Sequence, residues 1–455
     1  MVQYIMFAGK GVSVHDIIKP MIYRVVTVFV FLVALGFVIA YARGYRLDIQ
    51  NTELSSRGLV AVTSSPRSAK IFINDTFKGV TDTSLYLEPN TYTVNIVKDG
   101  YFPWSKTIKI QGEIVQSVDA TLYPINASLT PLTNIGVLQA IPFGVDGKKV
   151  LIFSAQSADK PATNAGSLAP LGETEEVEKE GIFVYDPRTQ AVSIFPSLTH
   201  IAEYSAFGTD IQPENYDVLF GPSFDQAILF YNPTYGGETS PLISQFDPSY
   251  QAPQSFEMAY LINLNELNTS PLDITNSALS LVDAWTQEKR SNIETLLGGY
   301  HRKIQDFIGS NTKIVDISPD KTRILYEATG SATLEPVLKR PLIGVNQTVD
   351  IRTVEPSTLY VYDVREDRNY ALVSESDLSK YHSYPLFHPN SKNIILNEEE
   401  TIGVMDYDGL NKQKLYSGPY DPGFFAVTSD GRVLVLTNFN SALERAYDLY
   451  AVGIR

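Results

Sequence analysis

Cysteine is missing from all 455 residues, which excludes disulfide bonds, thiolate-held zinc and cysteine nucleophiles at once. Histidine is scarce. His15, His200, His301, His382 and His388 are too scattered for a His-x-His or His-x-x-x-His metal pair. Basic residues are outnumbered 36 to 51, for a net charge of −15, and no basic stripe with interleaved aromatics occurs. Nucleic acid, whose phosphates need concentrated Lys and Arg, is therefore not an expected partner. No Gly-x-Ser-x-Gly elbow is present, and the nearest string, Gly221-Pro222-Ser223-Phe224-Asp225, lacks the final glycine. Neither a phosphate loop ending in Gly-Lys-Ser/Thr nor a dinucleotide fingerprint occurs. No catalytic residue, cofactor or metal is expected from these patterns.

Long apolar runs are also few; there is one. Residues 25–42, from Val25 to Ala42, carry no charge. As a helix they span about 27 Å, near the thickness of a hydrocarbon core. Arg24 before the run, and Arg43 and Arg46 after it, suit the two headgroup layers, as do Tyr23, Tyr41 and Tyr45. The expectation is a single-pass anchor in the lipid bilayer, with a cytoplasmic stub at 1–24 and an extracellular C-terminal part. Ala40-Tyr41-Ala42 has the small-x-small form of a cleavage site, but the run is longer than an ordinary signal core, which favours an uncleaved signal-anchor.

After a polar connector at 43–58, the chain reads as mainly β: short Val-, Ile-, Tyr- and Phe-rich runs are punctuated by Pro, Gly, Asn and Asp. A compact module occupies 59–124. Its pieces are Ser65-Pro66, Ala69-x-Ile71-Phe72-Ile73-Asn74-Asp75, Gly79-x-Thr81, Leu87-x-Pro89-x-x-Tyr92-x-Val94 and Gly100-Tyr101. In order and spacing these resemble the PEGA domain, a small β-sandwich found outside the membrane of many bacteria and archaea. Asn90-Thr91 stand where that family carries Glu-Gly. Asn is able to adopt the left-handed geometry a glycine would supply there. The resemblance implies association with the cell envelope.

Region 125–455 repeats a turn followed by a core strand. The cleanest copy is Ile317-Ser318-Pro319-Asp320-Lys321-Thr322 before Arg323-Ile324-Leu325-Tyr326; others start at Gly144, Gly221, Phe387 and Val427. Pro presets the turn, Asp or Asn binds its own backbone, and Gly or Lys completes the return. These strand–turn–strand units resemble blades of TolB-type β-propellers, with five to seven blades expected. The last copy ends one strand short, so Ala127-Ser128-Leu129 or Thr130-Pro131-Leu132 is expected to supply the outer edge. Two insertions interrupt the pattern. An acidic loop at 154–180 holds Glu173, Glu175, Glu176, Glu178 and Glu180. A helical segment at 277–308 repeats Ile293, Leu296, Leu297, Tyr300, Ile304, Phe307 and Ile308 at helical spacing. That stripe is read as packing on the propeller. Ser291 and Glu294 have capping-box spacing, and Gly298-Gly299 marks a bend.

Asp406-Tyr407-Asp408-Gly409-x-Asn411 faintly resembles a calcium loop but lacks the later carboxylate, so it reads as a blade turn. His388 reads as a turn cap. Of the 27 tyrosines, Tyr231, Tyr235, Tyr416 and Tyr420 fall in loop-like aromatic stretches, and Tyr381-His382-Ser383-Tyr384 forms another. Tyrosine at such places offers an apolar ring with a wet hydroxyl, so these residues form the candidate binding surface. The expected function is non-catalytic binding or scaffolding at the cell surface, with cell-wall polymer or another envelope protein as partner. The alternative is a propeller-fold glycoside hydrolase using two funnel carboxylates about 5–9.5 Å apart.

Overall fold

The computed structural model describes residues 14–42, 45–48, 53–144, 149–154, 180–187, 198–208, 215–232, 253, 255–340, 342–439 and 447–454. Most of the acidic loop and Tyr235 lie outside these residues. The described chain is mainly β and divides into two compact units: Met1–Ile96 with Thr107–Ala120, and Val97–Lys106 with Thr121–Arg455.

The first unit begins with a helix, α1, Val14–Ala42. Its side chains are described from Arg24 to Ile39 only, so the end of the apolar run is not covered. Among the described residues no helix is long and apolar enough to cross a membrane. Where described, the large apolar side chains of α1 are 43–66 % exposed.

Two sheets follow, antiparallel where Gly58–Ser65 meets Thr83–Leu87 and where Lys70–Ile73 meets Thr76–Val80. One orders Thr83–Leu87, Gly58–Ser65 and Val115–Thr121; the other orders Thr76–Val80, Lys70–Ile73, Thr91–Val97 and Trp104–Lys109. Alternation decides which side chains are buried. Val60, Val62, Ile71, Ile73, Val94, Ile96, Val118 and Ala120 are inside, and the residues between them, Ala61, Phe72, Asn95 and Asp119, are more exposed. The hairpin between Lys70–Ile73 and Thr76–Val80 turns on Asn74 and Asp75, at φ 46° and 62°. Both central residues being left-handed is what a tight hairpin needs. Asn90 does not take the left-handed geometry the sequence suggested; its Oδ1 instead accepts from the Thr91 N–H at 2.7 Å.

The second unit contains five four-stranded antiparallel sheets. The first begins at Val137–Phe143, the second at Tyr216–Phe220, the third at Thr312–Ile317, the fourth at Leu386–Phe387 and the fifth at Ala426–Val427. The fifth takes its outer strand from Ser128–Pro131, paired in register with Asp448–Gly453 (Leu129 opposite Val452). The missing edge is thus supplied from where the sequence placed it. The repeated turns carry their left-handed residue at Phe224, Lys321, Ser391 and Gly431. In the third sheet, Asp320 Oδ1 accepts from Ser318 Oγ at 2.7 Å and Thr322 Oγ1 at 2.7 Å, which locks the turn.

Neighbouring sheets share apolar clusters. Leu151 and Phe153 of the first meet Leu229 and Ile262 of the second. Leu325 and Val361 of the third meet Ile394 and Met405 of the fourth. Ile395 and Val404 of the fourth meet Val433 and Val435 of the fifth. Leu434 and Leu449 of the fifth meet Ile152 and Phe183 of the first. Between the second and third sheets lies a helical pair, α2 (Ala278–Leu297) and α3 (Arg302–Asn311). Ala278, Val282 and Trp285 of α2 cover Ile228 and Phe230 of the second sheet. Ile304, Phe307 and Ile308 of α3 cover Ile324 and Tyr326 of the third, with Ile293, Leu296, Leu297 and Tyr300 partly buried beside them. The apolar stripe therefore packs on its own unit. The capping box does not form: Ser291 lies inside α2, which starts after Ser277, and the chain breaks helix at Gly298 and Gly299. His301 caps α3 through Nδ1, accepting from the Lys303 N–H at 3.3 Å.

Candidate functional site

Antiparallel order places the start of Leu386–Phe387, the end of Asn393–Glu398, the start of Thr401–Asp406 and the end of Gln413–Tyr416 at one end of the fourth sheet. Five of the seven candidate residues gather there around Asn397, which is fully buried. The His382 N–H donates to the Asn397 carbonyl at 3.2 Å. Asn397 Nδ2 donates to Ser383 Oγ at 3.1 Å and to the Pro422 carbonyl at 2.9 Å. Tyr420 Oη donates to Asn397 Oδ1 at 2.9 Å, and its ring lies 6.1 Å from that of Tyr416. One amide thus joins two loop segments, the one holding Ser383 and the one holding Tyr420 and Pro422.

The five do not play equal parts. Tyr381 is buried, and Lys412 Nζ donates to its hydroxyl at 3.4 Å while pairing with Glu398 at 2.6 Å. Tyr384 donates to Glu327 of the third sheet at 2.5 Å, under Lys313 Nζ 5.4 Å from its ring. Burial, aided by Glu400 and Tyr416, pushes the Tyr420 hydroxyl up to about 12. These three brace the loops. His382 is exposed and Tyr416 half-exposed. Tyr231 lies apart, at the end of Gln226–Tyr231, packed 5.6 Å from the Tyr216 ring in the core between the first two sheets.

At the opposite end of the fourth sheet lies a buried polar network that sequence reasoning saw only in part. Asp406 accepts from Asn393 Nδ2 at 2.8 Å, Asn411 Nδ2 at 2.8 Å and Trp104 Nε1 at 2.9 Å. Asp408 accepts from Lys106 Nζ at 2.7 Å, Asn346 Nδ2 at 2.6 Å and Thr348 Oγ1 at 2.8 Å. Burial beside Asp408 raises the Asp406 carboxyl to about 6. Asp408 is buried too, but Lys106 and its hydrogen bonds hold its carboxyl below the usual range. Arg323 lies 3.8 Å over the Tyr407 ring and 2.9 Å from Asp363. Here the calcium-like string serves as a braced blade turn. His388 is a turn cap, its Nδ1 accepting from the Asn390 N–H at 3.3 Å. Among the described residues no group of three His, Asp or Glu is arranged to hold a metal ion. No local spacing in the sequence links Lys106, Asn346 and Thr348 to Asp408, so only the fold brings them together.

Residues 57–126 match the PEGA domain. That segment is similar to the PEGA domain. No protein of curated function matches the chain. Among solved structures, it is similar to a protein described as TolB from Agrobacterium tumefaciens at 12% identity, covering 68% of this chain and 76% of that one, with a TM-score of 0.19. The β-propeller domain of the Trilobed protease from Pyrococcus furiosus gives 11% identity, 84% of each chain and a TM-score of 0.18. An auxiliary nutrient binding protein from Bacteroides ovatus gives 12% identity, 88% and 81% coverage and a TM-score of 0.19.

Proposed function

We propose that this chain is a single-pass membrane protein of the cell envelope whose PEGA domain and propeller face the outside and bind or scaffold without catalysis. Its ligand is wall polymer, met by the His382–Tyr416 end of the fourth blade. The observation that carries the reading is α1. A continuous helix with large apolar side chains 43–66 % exposed needs an apolar surrounding, and a bilayer supplies one. The PEGA domain that follows supports an envelope address. The five sheets, with the helical pair in the gap between the second and third, support a five-bladed propeller.

The glycosidase alternative needs two carboxylates at liberty to act as acid and base. Asp406 and Asp408 are instead held by three side-chain donors each, and Asp316 by the backbone N–H groups of Ile317 and Phe387, both at 2.8 Å. Their work is bracing. The test is sedimentation of the full-length protein, in detergent micelles, with insoluble wall polymer. Retention is expected, reduced about tenfold in a His382→Ala/Tyr416→Ala variant, as the loss of an aromatic contact and a hydrogen bond implies. No retention of the wild-type protein would contradict wall polymer as the ligand.

A further inference from the structure

The PEGA-like domain holds a second feature, independent of the blade site. A cleft of about 350 Å³ opens between the two edges of the sandwich, lined by Arg57, Asn74, Lys78, Tyr86, Glu88 and Tyr92. The volume is in the range of small-ligand sites. Its walls are preset. Asn74 Oδ1 accepts from the Thr93 N–H at 2.9 Å, which fixes the amide and leaves its Nδ2 without an acceptor among the described residues. Tyr92 Oη donates to the Glu88 carbonyl at 3.1 Å, holding its half-buried ring. Tyr86 stands 61% exposed, so its ring face is open to a ligand.

The charges are unequal. Glu88 is answered by Arg57, whose guanidinium donates to it at 3.3 Å. Arg57 Nε is buried without a hydrogen-bond partner. Lys78 is exposed, with no ion pair among the described residues. Donors therefore outnumber acceptors, the net charge is positive, and two aromatic rings supply apolar faces. Sugar rings present C–H faces to aromatic rings and hydroxyls to amides, and a carboxylate answers a free cation.

We propose that this cleft binds a carboxylated saccharide, its ring against Tyr86 and Tyr92 and its carboxylate at Lys78. The test is calorimetric titration of the full-length protein in detergent micelles with trigalacturonate, and with maltotriose as the neutral probe. Trigalacturonate should bind, and maltotriose at least about tenfold more weakly, since it lacks the charge-assisted contact. Lys78→Gln should weaken trigalacturonate roughly fivefold and Tyr86→Ala about tenfold. Both positions are exposed, so the melting temperature should be unchanged, separating lost binding from lost folding. No heat with trigalacturonate, equal binding of maltotriose, or variants within twofold of the parent would each overturn the proposal.

Discussion

Tyrosine in this protein is first a structural residue. Tyr326 and Tyr362 are almost fully buried, and their hydroxyls donate to Asn369 and Asp367, each at 2.9 Å. A buried phenol is stable when its hydroxyl has a partner. The same logic governs the charges around Asp408, whose carboxylate has no solvent contact and depends on Lys106. Lys106→Met should therefore cost roughly 3–5 kcal/mol in urea unfolding, because a buried charge loses its partner. A change under about 1 kcal/mol would contradict that dependence. Asp406 adds a pH signature. Its carboxyl lies at about 6 when folded, above its ordinary 3.8, so its contribution is fully present below the unfolded value and is lost as pH rises through about 6. Asp408 has the opposite sign: its contribution is present above the unfolded value and is lost as pH falls through its lowered one. The fall in stability from Asp406 between pH 4 and 6 should disappear in Asp406→Asn.

At the scale of elements, the strands were legible because turn chemistry and apolar runs coincide. A blade strand buried on both faces reads as an unbroken run, as in Lys149–Ser154, whereas the half-exposed PEGA strand Gly58–Ser65 alternates. The start of α2 was legible: the helical segment reads from residue 277, and α2 begins at Ala278 after Ser277. Its first half buries Ala278, Val282 and Trp285 against the second sheet. The candidate site was legible as a set of aromatic stretches, but the hub that joins them, Asn397, carries no local signal and is defined only by pairing. Strand closure can be tested directly. A side chain built on Gly453 would point at Ser128, with their Cβ atoms 3.7 Å apart, close to the mean for a disulfide. In this cysteine-free chain, Ser128→Cys/Gly453→Cys should cross-link on oxidation and raise stability by about 2–4 kcal/mol. A double variant that stays reduced under oxidant would contradict the pairing.

For the molecule as a whole, the proposed reading makes Val14–Ala42 an anchor, residues 57–126 an envelope module and the five sheets a binding platform. Its consequences depend on which side of the membrane the platform occupies. Charge does not decide that, since Lys10, Lys19 and Arg24 are balanced by Arg43, Arg46 and Arg57, and long domains translocate largely regardless of such a balance. The direct measurement is protease accessibility on intact cells carrying a tag after Arg455. The account predicts that the tag is digested without lysis. A tag that survives until the cells are broken would place the blades inside and contradict the surface-binding role.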